Sequence, residues 1–138
     1  YCELAADGDI LQKQQRTATE QGAIWLSVIS SAPGKQGYVS GAEADRLTEQ
    51  RDAAPTAVLM DTTGTIGRTY GAKTTPHMYV IDQQGILVYM GGIDSISSAN
   101  TDDIPKATQY VNAALDEVMS GQAVSQPVTR PYGCSVKY

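Results

Sequence analysis

Gly71-Ala72-Lys73-Thr74-Thr75-Pro76-His77-Met78-Tyr79-Val80-Ile81-Asp82 is the stretch whose reading decides the fold. A polar lead-in runs into a proline, followed by four residues, Met78 to Ile81, too apolar to be solvated on either side. Proline has no N–H to give to a ladder, so inside sheets it sits at strand starts, edges or bulges. Pro76 therefore reads as the start of a buried strand, with Thr75 pushed toward an extended conformation. Asp82-Gln83-Gln84-Gly85 carries turn residues, and Ile86-Leu87-Val88-Tyr89-Met90 runs back as the second arm of a hairpin. Thr75, Pro76 and His77 lie at its mouth.

Upstream, Ala23-Ile24-Trp25-Leu26-Ser27-Val28-Ile29-Ser30 is rich in β-branched and aromatic residues and does not alternate, as in a strand covered on both faces. A helix is expected before it, from Asp9 to Gln21, with a thin apolar face of Ile10, Leu11 and Ala18. After the Pro-Gly loop at 31–37, Ser40-Gly41-Ala42-Glu43 has the capping-box pattern, and the helix it opens runs to Gln50 and buries Ala44 and Leu47. Pro55 to Asp61 is a short strand, and Ile66 to Tyr70 one helical turn ended by Gly71.

Downstream of the hairpin, Ile93 to Thr101 reads as a polar loop. A last helix is capped by Asp102 or Asp103, holds Pro105 in its first turn and ends at Gly121. Ile104, Thr108, Val111, Leu115 and Val118 form its core stripe. Residues 122–138, with Pro127 and Pro131, are expected to be an extended tail. Helices between the early strands imply parallel crossovers, and the hairpin adds an antiparallel edge. The sequence thus predicts a single α/β domain over residues 1–138, with a mixed sheet and flanking helices.

Composition narrows the function classes. With 138 residues, 41% hydrophobic and 18% charged, the chain has the make-up of one globular domain. Its net charge is −5 and no basic run interrupts the acidic balance, so neither nucleic acid nor an anionic membrane is expected as a partner. The longest apolar stretch, Ala23 to Ile29, is too short to span a bilayer. Cys2 and Cys134 with the single His77 cannot make a four-ligand zinc site within one chain. Redox chemistry, a terminal disulfide or inert thiols remain open.

Trp25 to Tyr38, Thr74 to Asp82 and Pro127-Val128-Thr129-Arg130-Pro131-Tyr132-Gly133-Cys134-Ser135-Val136-Lys137-Tyr138 each resemble segments of the peroxiredoxin-like, or redoxin, branch of the thioredoxin superfamily. They occur in the family's order, and the similarity covers nearly everything from Ala23 on. The resemblance implies a thioredoxin-like fold, a cis Pro76 facing a reactive cysteine, and a Thr75 backbone that pairs with an extended thiol substrate. It also implies that the family's first strand and its active-site cysteine lie upstream of Tyr1, so the chain reads as truncated at its N-terminus. That strand would join the Ala23–Ser30 and Met78–Asp82 strands, and marginal stability is expected without it.

Within that frame Cys2 is the second cysteine of a C-x-x-C motif or an incidental terminal thiol. Cys134 is a resolving cysteine in a mobile tail or an exposed bystander. The usual Pro and Thr leading into a peroxidatic cysteine are not visible. His77 reads as a cap on local backbone ahead of an acid–base group, Lys73 and Arg130 as solvated charges, and Trp25 and Tyr79 as core. The family implies a thiol-based oxidoreductase, acting on disulfides or peroxides with a thiol reductant as partner and no organic cofactor or metal. Export is favoured over the cytoplasm. The competing reading is a non-catalytic thioredoxin-like binding module that holds an extended partner segment at the hairpin mouth, or an inactive fragment of the enzyme family, toward which the chain by itself leans.

Overall fold

A computed structural model describes residues 10–98 and 100–138. The chain is α/β, and it divides into two compact units: residues 10–72 with 136–138, and residues 73–135.

The first unit contains α1 (Ile10–Glu20), β1 (Leu26–Ile29), α2 (Gly41–Gln50), β2 (Ala57–Met60) and the short α3 (Thr65–Thr69). β1 and β2 pair in parallel from Leu26↔Ala57 to Ile29↔Met60, as helix-separated strands should. The expected double cover of β1 is not found, because Ile24, Leu26 and Val28 are 76%, 52% and 40% exposed. Leu26 and Val28 share one face of the strand, and that face is open, as is Ile24 just ahead of it. Trp25 is half-buried rather than core.

The helix expected before β1 is present, but of its predicted apolar face only Ala18 is buried, and glutamines fill the rest. Gln12, Gln14, Gln15 and Ala18 are buried, whereas Ile10 and Leu11 are only half-buried. Backbone on the far side of α2 explains the exchange. Gln12 Nε2 donates to the Arg51 carbonyl at 3.1 Å, and Gln15 Oε1 accepts from the Ala54 N–H at 2.9 Å. Buried backbone groups need partners, and a glutamine can supply either a donor or an acceptor.

Ser40 caps α2 as its sequence predicts, accepting from the Glu43 N–H at 3.2 Å. The reciprocal half of the box is replaced. The Glu43 carboxylate turns outward to Arg46 at 2.8 and 2.5 Å, a neighbour one turn along the helix. Ala44 is buried and Leu47 only half-buried.

Asp61 closes the corner after β2. Its Oδ2 accepts from the Ser30 hydroxyl at 2.7 Å and the Gly67 N–H at 2.8 Å, and its Oδ1 from the Ile66 N–H at 3.1 Å. Tyr138 lies over this corner, with its hydroxyl donating to the Ala72 carbonyl at 2.9 Å and the Arg68 guanidinium 4.4 Å from its ring centre. A Cβ at Gly67 would meet Ser30 Oγ and the Tyr138 hydroxyl, so any larger residue there would have to displace those side chains.

The second unit contains β3 (Thr74–Thr75), β4 (Met78–Ile81), β5 (Leu87–Gly91), a 3-10 helix (Thr101–Lys106), α4 (Tyr110–Met119) and β6 (Cys134–Ser135). Among the described residues the strands form three two-stranded ladders, β1–β2, β3–β6 and β4–β5, where one mixed sheet was expected. The predicted hairpin is β4–β5, paired from Met78↔Gly91 to Ile81↔Leu87 with an irregularity after Val80. Its turn forms because Asp82 Oδ1 accepts from the N–H groups of Gln84 and Ile86, each at 2.9 Å, while Gly85 takes φ +80°.

The single closing helix expected from the sequence is split. Thr108 is taken out of helical pairing by Ser95: its N–H donates to the Ser95 hydroxyl at 2.8 Å and its carbonyl accepts from the Ser95 N–H at 3.1 Å. The chain therefore makes a 3-10 helix holding Pro105, an extended Ala107, and then α4. Val111 and Ala114 are buried, Leu115 and Val118 half-buried, and Gly121 ends the helix with φ +72°. The loop before the 3-10 helix is not wholly polar in its setting, since Ile93 and Asp94 are both buried.

Tyr89 is the centre of this unit's core, 1% exposed beside Val80, Ile93, Val111 and Ala114 in the buried set. Its hydroxyl bonds the Gly92 carbonyl at 2.5 Å and Thr129 Oγ1 at 2.6 Å. Thr129 Oγ1 also accepts from the Gly92 N–H at 3.0 Å. Residues 127–129 run parallel to β5, with Met90 N–H donating to the Pro127 carbonyl at 2.9 Å and Thr129 N–H to the Met90 carbonyl at 3.1 Å.

Two stability measurements follow. Tyr89→Phe keeps the ring and removes the bridge, so urea denaturation should show a loss of roughly 1–2 kcal/mol. Burial alone would raise the Asp61 carboxyl, but the Gly67 N–H, Ser30 hydroxyl and Ile66 and Thr65 N–H groups together hold it below its ordinary value. A carboxyl lowered on folding adds stability that is fully present above its unfolded value of about 4 and is lost as pH falls through the folded value. Asp61→Asn should therefore be less stable than wild type at pH 7, and the difference should shrink on acidification toward pH 3.

Candidate functional site

The hairpin mouth is built from three short pieces of the second unit. The Thr75–Pro76 peptide bond is cis. The Thr74 hydroxyl donates to the Pro76 carbonyl at 2.9 Å, closing a tight local loop over the two residues. His77 Nδ1 accepts from the Lys73 N–H at 3.3 Å, so this lone histidine caps backbone of its own turn. Its ring also stacks on Tyr79, with centroids 4.6 Å apart and planes tilted by 32°. Tyr79 is half-buried and supports the histidine from the strand rather than filling the core.

Against this mouth the end of the extended segment adds β6. Thr74 pairs with Ser135 and Thr75 with Cys134, antiparallel. This ladder went unforeseen in the sequence, being only two residues long and drawn from a segment without strand periodicity. What permits it is Gly133. At φ +126° it lies so close to β3 that a Cβ would collide with the Thr75 carbonyl and come within 3.5 Å of Pro76 Cδ. Cys134 itself is a free thiol and exposed. The segment leading to it is hydrogen-bonded at residues 127 and 129, and the Tyr132 hydroxyl donates to the buried Asp94 carboxylate. Cys134 thus sits on a held strand, where a mobile tail was expected.

Of the predicted site residues, Thr75, Pro76, His77 and Cys134 fall within this one unit, and the β3–β6 ladder joins Thr75 to Cys134 directly. Cys2 lies outside the described residues. Lys73 and Arg130 are exposed. Among the described residues, no group of three or more His, Cys, Asp or Glu side chains is placed to hold a metal ion. Among them, too, no helix is long and apolar enough to cross a membrane.

No protein-family model matches the sequence, and no curated protein matches it. Solved structures do share the fold. An uncharacterized conserved protein from Geobacillus kaustophilus superposes with a TM-score of 0.80 at 24% identity, over 95% of this chain and 68% of that one. A hypothetical protein from Sinorhizobium meliloti 1021 gives 0.82 at 23% identity, over 95% of this chain and 70% of that one. At such identities the likeness speaks for the fold alone.

Burial holds the His77 imidazole below its ordinary value, and the Lys73 ammonium adds to the effect. A base lowered on folding is one whose charged form the fold disfavours. Its contribution is complete above the unfolded value of about 6.5 and is lost as pH falls through the folded value. Following the His77 ring protons by NMR should give a midpoint below 6.5. A midpoint at or above that value would contradict the neutral, acceptor role at Nδ1.

Proposed function

We propose that this chain is a thioredoxin-like, redoxin-branch thiol oxidoreductase that reduces disulfides or peroxides through cysteine thiolates. The observation that carries this reading is the β3–β6 ladder, which pairs Cys134, an exposed free cysteine, with Thr75, the residue before Pro76. The arrangement of a parallel β1–β2 pair with intervening helix, a β4–β5 hairpin and a closing helix supports the fold assignment. So does the resemblance of the Thr74–Asp82 and Pro127–Tyr138 segments to that family.

The chemistry needs two thiols. A thiolate attacks one sulfur of a disulfide, the S–S bond breaks, the other sulfur leaves as a thiolate, and a mixed disulfide remains. A second thiolate attacks the mixed disulfide and releases the substrate thiol. Two electrons pass to the substrate, and the protein thiols end as a disulfide. With a peroxide, the thiolate attacks oxygen, the O–O bond breaks, and the departing oxygen takes a proton as water or an alcohol. The sulfenic acid then condenses with the second thiol, losing water to form the disulfide. Cys134 is the resolving thiol in this scheme, Cys2 or a partner's thiol supplies the first thiolate, and an external thiol reductant restores both.

The test uses the chain with dithiothreitol as reductant and hydrogen peroxide or oxidised glutathione as substrate. Wild type should turn over faster than the protein-free control, and mass spectrometry should find a disulfide at Cys134. Cys134→Ser should lose that adduct and most of the turnover. Equal rates for the wild type, the Cys134→Ser variant and the control, with no adduct at Cys134, would overturn the reading.

A further inference from the structure

Tyr132-Gly133-Cys134 leaves two residues without a role in the scheme above, and both are placed to fix the third. Tyr132 is anchored through its hydroxyl to Asp94, a carboxylate only 3% exposed. The same Asp94 Oδ1 accepts from the Ile96 N–H at 3.0 Å, which fixes the carboxylate to its loop. One residue on, Gly133 brings the backbone against the Thr75 carbonyl in a conformation that side chains other than glycine rarely adopt. The next residue is Cys134, whose backbone is already paired with Thr75 and whose side chain is exposed.

We infer that Tyr132 and Gly133 are positioning residues that hold the Cys134 thiol at Thr75 for exchange. The inference rests on the redox reading and deepens it. The tyrosine fixes how far the segment reaches, because its ring spans from the strand to a buried acceptor. The glycine fixes how near it comes, because any Cβ would occupy the space of the Thr75 carbonyl. Neither residue carries chemistry. Each removes a freedom that a thiol on a loose segment would have, and a displacement of about 1 Å at a reacting atom can cost up to about a hundredfold in rate.

The experiment compares wild type, Tyr132→Phe, Gly133→Ala and Cys134→Ser in three measurements. The first is turnover with dithiothreitol and oxidised glutathione. The second is the rate at which Cys134 reacts with 5,5′-dithiobis(2-nitrobenzoate), a small probe that needs no guidance. The third is amide exchange at Thr75 and Cys134, with urea denaturation reporting global stability. Gly133→Ala should lower turnover by at least about tenfold and release the two amides, while the probe rate stays equal or rises. Tyr132→Phe, the milder change, should move the same way by a smaller factor and keeps the inference testable if Gly133→Ala does not fold. Amide protection and turnover unchanged in Tyr132→Phe and in any folded Gly133→Ala would overturn the positioning role. A fall in turnover and probe rate together, tracking lost stability, would also overturn it. If Cys134→Ser turns over like wild type, the redox reading fails, and the amide and probe measurements still decide whether these residues hold Cys134 in place.

Discussion

Thr129 is the side chain on which the unit of residues 73–135 closes. Its hydroxyl meets the Tyr89 phenol at the centre of the core and accepts from the Gly92 N–H, so three polar groups are satisfied around one oxygen. The contact requires Gly91, where a Cβ would run into Thr129 side chain and backbone. A buried phenol without partners is costly, and Tyr89 has two, the Gly92 carbonyl and Thr129. The extended segment is therefore part of the packed unit, and the placement of Cys134 downstream depends on it. The core and the candidate site share one extended segment.

The first unit is governed by a different economy. Asp61 gathers donors from β1's end and from the start of α3, which is why a five-residue helix can stand at all. Gln12 and Gln15 do the same for the backbone beyond α2. Polar side chains thus organise what a thin apolar set leaves undone. One apolar face of β1 stays exposed at Leu26 and Val28, with Ile24 exposed just before the strand.

Elements that are specified locally were legible in the sequence. The hairpin could be read because Asp82 and Gly85 encode its turn, the second helix because Ser40 caps it, and the end of the last helix because Gly121 stops it. What could not be read depends on groups far apart in the chain. Ser95 breaks the predicted closing helix by capturing Thr108, and Arg51 and Ala54 draw the glutamines of α1 inward. β6 exists only because Gly133 can reach Thr75. At the candidate site, Thr75, Pro76, His77 and Cys134 were singled out by motif, but their pairing was not. Only a glycine immediately before Cys134 hinted at a close approach, and one glycine in a loop-like segment has many readings.

Gly91, Gly92 and Gly133 are points where backbone presses on backbone, the first two against residues 129 and 130 of the extended segment, whose Val128 and Arg130 side chains are exposed. A segment fixed in this way owes little of its path to those outward side chains. Substitution there changes the exposed surface while the segment keeps its course. The path of the segment is thus set by backbone contacts, and its outward side chains are free to vary without the scaffold having to change.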